Sequence, residues 1–257
     1  MTHSGADEAS RDFWERRWQQ SGGGASEREI QRATALLAMI PEKTRSVLEV
    51  GCGAGLIVNR VTAAETMGID LSASALRDVT GPSLQCSVED LPFDDGRYDL
   101  VIASEVLEHL PTGVCELALS EIARVASSNI LISVPNREYL AASVTKCPAC
   151  GCRYHRNLHQ RSYSPKNLKG LFEGFVLTDC HEIGEKEPRR SMFEVFLRRA
   201  VGASAPPWGT VCPNCMAVHD APEASGTATG ATPREGEVKR LLRRHEASWL
   251  AALYERT

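Results

Sequence analysis

Three groups of residues have the types and spacing to do chemistry. Glu105, Glu108 and His109 form an E-x-x-E-H block. On a helix, positions three and four apart share a face, so this spacing predicts two carboxylates and an imidazole pointing the same way. Such a set can hold a divalent cation with coordination positions left open. Cys147-Pro-Ala-Cys150 and Cys212-Pro-Asn-Cys215 are matched knuckles, each presenting two thiolates from one tight turn. Two such turns that meet give a closed tetrahedral site of the kind that holds structural zinc. Gly51, Gly53 and Gly55 punctuate VLEVGCGAG, where a strand pattern gives way to a helical one. Glycines there let the backbone turn tightly and approach a ligand. Glu49 precedes the turn, and Asp70 ends the next strand pattern. Ligands of open parallel sheets bind beyond the carboxyl ends of the strands, which places Asp70 where a ribose would offer its hydroxyls.

The chain has 257 residues, enough for one sizeable α/β domain and small additions. A formal charge of −4 and a pI near 6.0 argue against a broad nucleic-acid-binding surface. The basic clusters at Arg189, Arg190, Arg198, Arg199 and 239–244 read as solvated faces. No apolar run approaches the ~18 residues that a membrane span needs, and the N-terminus lacks a secretory pattern. A reducing cytoplasm is the expected location. There, nine cysteines argue for ligands and buried thiols rather than disulfides. Cys52, Cys86, Cys115 and Cys180 read as ordinary buried residues, and Cys152 and His155 as local packing or hydrogen bonding.

These groups need elements to position them. Periodicity predicts helices over 8–20 and 27–40, with Pro41 ending the second. Strands follow at 46–50, 66–70, 83–88, 98–104 and 129–134, interleaved with helices at 56–63, 72–79 and 113–125. This alternation implies a mostly parallel sheet with helices on both faces. A long irregular stretch, 135–164, carries the first knuckle. Ser164-Pro165 then starts a helix over 165–173. Segments 175–183 and 191–199 read as a terminal antiparallel pair, 201–219 as the second knuckle and 220–235 as a flexible linker. Residues 236–257 read as an amphipathic helix that could mediate a homodimer.

The run E-x-G-x-G-x-G (49–55), GID (68–70) and EDLPFDDGRYDLVIASEVLEHL (89–110) resembles the class I S-adenosylmethionine (SAM)-dependent methyltransferases of the UbiE/type 11 kind. The resemblance covers roughly residues 40–200. It implies a Rossmann-like, mostly parallel seven-stranded sheet, here with a small zinc-binding insertion. It also implies that 1–40 cap the cofactor and that 41–200 form the SAM-binding domain. By that resemblance Glu49 faces the methionine ammonium, and Gly51 and Gly53 pass beside the SAM carboxylate and sulfonium. Asp70 holds the ribose with Leu71 against adenine, Val88 and Glu89 line the adenine edge, and Ser104 faces the transfer site. Trp14, with Trp18, caps the cofactor. Ser87 departs from the pattern, because relatives place an Asp there to grip the adenine amine.

The E-x-x-E-H block is similar to that of small-RNA 2′-O-methyltransferases and of some ubiquinone-biosynthesis O-methyltransferases, in which a divalent ion holds acceptor hydroxyls. SVPNREYL (133–140) is similar to the segment preceding a further histidine in the RNA enzymes, and His159 stands at a similar spacing before QRSYS. The resemblance therefore implies Glu105, Glu108, His109 and His159 as ligands of Mg²⁺ or Mn²⁺, with Glu105, His109 and His159 in catalytic roles. The competing reading has no metal and uses His159 as a general base. CPACGCRYHRNLH (147–159) resembles a layout that recurs in bacterial methyltransferases. The expected activity is SAM-dependent methylation of a hydroxyl on a small molecule: a sugar, natural product or glycolipid. N-methylation, or an RNA 2′-hydroxyl or protein acceptor, are the alternatives.

Overall fold

A computed structural model of the chain describes residues 6–20, 24–188, 195, 207, 209–219 and 245–257. Its centre is a seven-stranded sheet in the order β3-β2-β1-β4-β5-β11-β8. β1 (Ser46–Val50), β2 (Glu65–Asp70), β3 (Ser83–Gln85), β4 (Tyr98–Ser104) and β5 (Ala126–Pro135) are mutually parallel, as the alternating pattern predicts. β11 (His245–Arg256) runs antiparallel to β5 on one side and to β8 (Phe175–Pro188) on the other.

The central strands read as nearly unbroken apolar runs because both faces are covered. On one face Val47, Leu100, Ile102 and Leu131 pack with Ala33 and Leu36 of α2 (Glu27–Ala38). On the other, Leu48, Val101, Ile130 and Ile132 pack with Ile122 and Val125 of α3 (Thr112–Val125) and with Phe172. α2 starts where its sequence dictates: Ser26 and Glu29 form a reciprocal capping box. α1 (Ala6–Gln20) lies along the carboxyl ends of the strands, where Glu15 accepts hydrogen bonds from Ser72 and Ser74.

The C-terminal segment overturns the sequence expectation. Residues 245–256 form a strand inside the sheet, not an amphipathic helix, so a homodimer built on that helix loses its element. The segment HEASWLAALYER carries good helix formers, and its apolar residues fit either period. Burial of Ala247, Leu250, Ala251, Ala252 and Tyr254 between two neighbouring strands decides it. β8 takes its partner from here. The strand expected at 191–199 falls, except for Val195, outside the described residues, as do the linker at 220–235 and residues 236–244.

Three expected helices are shorter than periodicity suggests. Residues 56–63 contain a single 3₁₀ turn, Val58–Arg60. The N–H of Val58 is taken by Glu49, and the Asn59 side chain bonds the Asp78 carbonyl and the Thr80 N–H. These bonds compete with helix extension. Residues 72–79 hold one turn, Ala75–Asp78. Residues 165–173 form turns interrupted by Gly170, whose φ is +69°.

Two small hairpins sit beside the sheet. β6 (Val144–Lys146) pairs with β7 (Arg153–His155), and β9 (Thr210–Val211) with β10 (Val218–His219). Among the described residues no helix is long and apolar enough to cross a membrane.

Strand β11 can be tested against its helical alternative. Leu250 is fully buried whereas Leu117 on α3 is 48% exposed. Leu250→Ala should cost about 2–5 kcal/mol in urea unfolding and Leu117→Ala within about 0.5 kcal/mol. Equal, small losses would show that the C-terminal segment does not enter the core.

Candidate active site

The glycine-rich turn leaves β1 at the centre of the sheet. Gly51, Gly53 and Gly55 have φ of +63°, +53° and +77°. A Cβ on Gly51 would sit 2.5 Å from Cγ2 of Val106, and one on Gly53 would sit 2.7 Å from Cζ2 of Trp18. Glycine is therefore required here both for the backbone conformation and for close approach. The turn is braced from below by two buried acids. Glu49 Oε2 accepts the N–H of Val58 at 2.7 Å, and Asp70 accepts those of Gly53 and Ser72, both at 2.9 Å. Burial pushes the Glu49 carboxyl up to about 8 and raises that of Asp70, against the pull of its backbone donors. Leu71 is half-buried and its carbonyl accepts from Gln85. Ser87, Val88 and Glu89 are half-buried on the segment after β3. Ser104 ends β4, its hydroxyl 2.9 Å from that of Ser133.

The two tryptophans divide. Trp18 lies over Gly53, on the cofactor turn. Trp14, expected at the cofactor, packs edge-on against His109 at 5.0 Å between centroids. The Glu15 carboxylate is held well below its usual range, at about 2, by the Ser74 and Ser72 hydroxyls, so it stays charged and ties α1 to the segment after β2.

The E-x-x-E-H block is not helical. Glu105 has φ +58°, and the following residues form turns closed by His109 N–H to the Val106 carbonyl. This separates the expected ligands. Glu105 turns away to accept from Trp249 Nε1 at 2.7 Å, with Ser133 Oγ at 3.4 Å and Arg32 at 3.6 Å. Glu108, His109 and His159 do converge, with ligand atoms within 4.8 Å of one another. Glu108 is fully buried, and neither carboxylate oxygen has a hydrogen-bond partner among the described residues. Burial, with Glu105 adding to it, raises the Glu108 carboxyl well above its usual range. Burial, with His159 and Arg17 nearby, lowers His109 to about 3.

His159 is delivered by the loop after β5. Gln160 N–H bonds the Glu108 carbonyl at 2.6 Å, and Arg161 bonds the Leu107 carbonyl at 2.7 Å. Beyond it lies a second convergence, Glu138, His155 and His159, also within 4.8 Å. Glu138 is not singled out by its spacing, whereas His155 makes the local packing and hydrogen bonds expected of it. The sequence signal was weak: a charged residue in SVPNREYL and two histidines four apart.

The comparisons with known proteins agree with this layout. Residues 48–132 match the family model described as "Methyltransferase domain". The ubiquinone biosynthesis O-methyltransferase of Alkalilimnicola ehrlichii is 38% identical over 79 residues, which is 26% of this chain and 32% of that protein. The ajmaline N-methyltransferase of Rauvolfia serpentina is 30% identical over 107 residues, 36% of each. The matches thus span about a third of these relatives' length. Among solved structures, a chain from the complex between the Haloferax volcanii Trm112 methyltransferase activator and a methyltransferase superposes with a TM-score of 0.58. It shares 18% identity, with 96% of both chains covered. The fold is that of the class I methyltransferases. Over residues 48–132 the sequence is also similar to a methyltransferase domain.

The E-x-x-E-H turn lies against the glycine turn through Val106, which packs on Gly51. Outside it, Cys147, Cys150, Cys212 and Cys215 converge within 4.8 Å. Sγ of Cys147 lies 3.7 Å from that of Cys215, and Sγ of Cys150 3.7 Å from that of Cys212. The knuckles are alike: Gly151 and Met216, each four residues after the first cysteine, both have positive φ and donate to that cysteine's carbonyl. The spacing matches what four thiolates around one ion require.

Glu49 yields a pH-dependent prediction. At pH 7, below its value of about 8, the buried carboxyl of the free protein holds its proton. A cofactor ammonium beside it, as the sequence resemblance implies, would favour the carboxylate and displace that proton. SAM binding at pH 7 should release close to one proton, read from the buffer dependence of the calorimetric enthalpy. The release should fade above pH 8 and vanish in Glu49→Gln. Proton-neutral binding by the wild type at pH 7 would refute this role.

Proposed function

We propose that the chain methylates a hydroxyl of a small molecule (a sugar, natural product or glycolipid), assisted by Mg²⁺ or Mn²⁺ at Glu108, His109 and His159. SAM supplies an electrophilic methyl on a sulfonium. The observation that carries the reading is Glu108: a fully buried carboxyl, neither oxygen hydrogen-bonded among the described residues, beside two imidazoles. Burial keeps such a group protonated until a positive charge joins it, and a divalent cation would supply that charge. An ion held there would polarise an acceptor oxygen and lower its pKa. Around it, the chain's own residues do the rest. Trp14 and the two histidines wall the acceptor side, while Gly51 and Val106 bring the acceptor turn against the cofactor turn. The rate then comes largely from positioning. Glu105, expected as a ligand, is assigned a supporting role through Trp249 and Arg32.

The four cysteines would hold a structural zinc that uses all its positions on thiolates and pins the loop carrying His159. Reduced thiolates of this kind suit a reducing compartment such as the cytoplasm. A second reading, N-methylation of an amine without a metal, is favoured by the match to an N-methyltransferase.

Metal content decides between them. Equilibrated with Mn²⁺, the wild type should carry one zinc and one manganese per chain. His109→Ala should lose the manganese alone, and Cys147→Ser the zinc, with a lowered Tm. Zinc alone in the wild type and in His109→Ala would overturn the metal-assisted reading and leave N-methylation standing. Manganese without zinc would overturn the tetrathiolate assignment.

A further inference from the structure

The loop after β5 contributes two residues that neither the motif resemblance nor the comparisons assign. Glu138, His155 and His159 are as tightly clustered as the ligands of an ion, but their hydrogen bonds exclude that use. His155 Nδ1 accepts the backbone N–H of Asn157 at 3.3 Å and of His159 at 3.1 Å. A neutral imidazole has one lone-pair nitrogen and one N–H. Two donors converging on Nδ1 place the proton on Nε2, which then has no lone pair to give a metal. That Nε2 lies 3.3 Å from Oε1 of Glu138, off the line of an ideal hydrogen bond, and among the described residues no other partner reaches it. The other oxygen of Glu138 contacts His159 Nδ1. A carboxylate only accepts, so Nδ1 of His159 carries the proton.

Glu138 is itself well placed to remain an anion. Burial alone would raise its carboxyl, yet the hydrogen bonds from His155 and His159 bring it down to about 2. The two rings stack at 4.8 Å and 22°, which fixes the plane of His159. His159 in turn meets His109 edge-on at 4.8 Å.

We propose that Glu138, itself held by His155, is the positioning residue that locks His159 in its Nδ1–H tautomer and leaves Nε2 as the lone pair available to the Glu108–His109 site. This deepens the proposed function and rests on it for what Nε2 serves. The tautomer itself does not depend on any ion. The chemistry is that of outer-shell carboxylates that orient ligand histidines and raise their basicity.

The test is ¹⁵N-histidine NMR of the zinc-loaded chain, free of Mg²⁺ and Mn²⁺, near pH 9, where neutral rings report their tautomers directly. The wild type should show His159 as Nδ1–H and His155 as Nε2–H. Glu138→Leu, which removes the acceptor, should move His159 toward Nε2–H. Glu138→Gln, which keeps an acceptor oxygen, should hold it. Mn²⁺ affinity should fall about 10- to 100-fold in Glu138→Leu and less in Glu138→Gln. A wild-type His159 found as Nε2–H overturns the proposal, and that reading stands even if the leucine variant does not fold. Correct tautomers in a wild type that binds no Mn²⁺ would uphold the positioning role and remove the metal-assisted reading alone.

Discussion

Insertion of β11 between β5 and β8 is the constraint on which the rest of the structure depends. Among the described residues β8 pairs with no strand but β11, which supplies its ladder. The same strand reaches the site. Trp249 donates to Glu105 at the end of β4, and the carbonyls of Ala247 and Ser248 accept from Asn136 at the root of the loop carrying His159. One buried strand therefore closes the sheet, sets Glu105 and anchors the loop. Its fully buried residues stand on both faces of the sheet, so it also joins the two cores.

The carboxyl ends of the strands concentrate buried acid. Glu49, Asp70 and Glu108 are all buried, and Glu105 is partly so. Each ionised carboxylate taken from water carries a desolvation penalty. They meet it in different ways. Asp70 has two backbone donors, Glu49 has one, and Glu105 has Trp249 with Arg32 at 3.6 Å. Glu108 has none among the described residues. Glu108 stands apart from the other three in this respect, which is why it carries the functional proposal.

The loop between β5 and β8 would be long and unsupported without local ties. It is held at Asn136, bridged to Tyr163, bonded to the Glu108 and Leu107 carbonyls, and fastened at its far end by the four cysteines. Tyr154 on β7 adds a 2.7 Å hydrogen bond to Thr210 on β9, so the two knuckles approach as one unit. His155 begins the segment between that unit and the site. With the proposed zinc bound, the four cysteines would limit how far His155 and His159 can move, while the His155–Glu138–His159 chain governs how their rings face.

By itself the sequence determined the parallel strands, the glycine turn with Glu49 and Asp70, and the pairing of the two knuckles. Those features are local: apolar runs buried on both faces, positive φ that glycine alone tolerates well, and cysteines at fixed spacing on one turn. Tertiary structure decided the rest. Residues 245–256 could satisfy either period, and strand neighbours far away in sequence chose between them. The spacing of E-x-x-E-H predicted a shared helical face, but the left-handed backbone at Glu105 breaks that face, and Trp249, 144 residues away, takes its carboxylate. Glu138 and His155 entered the site because loop closure brought them there. Spacing along the chain reports only neighbours on the same element, whereas burial and long-range hydrogen bonds depend on which elements meet.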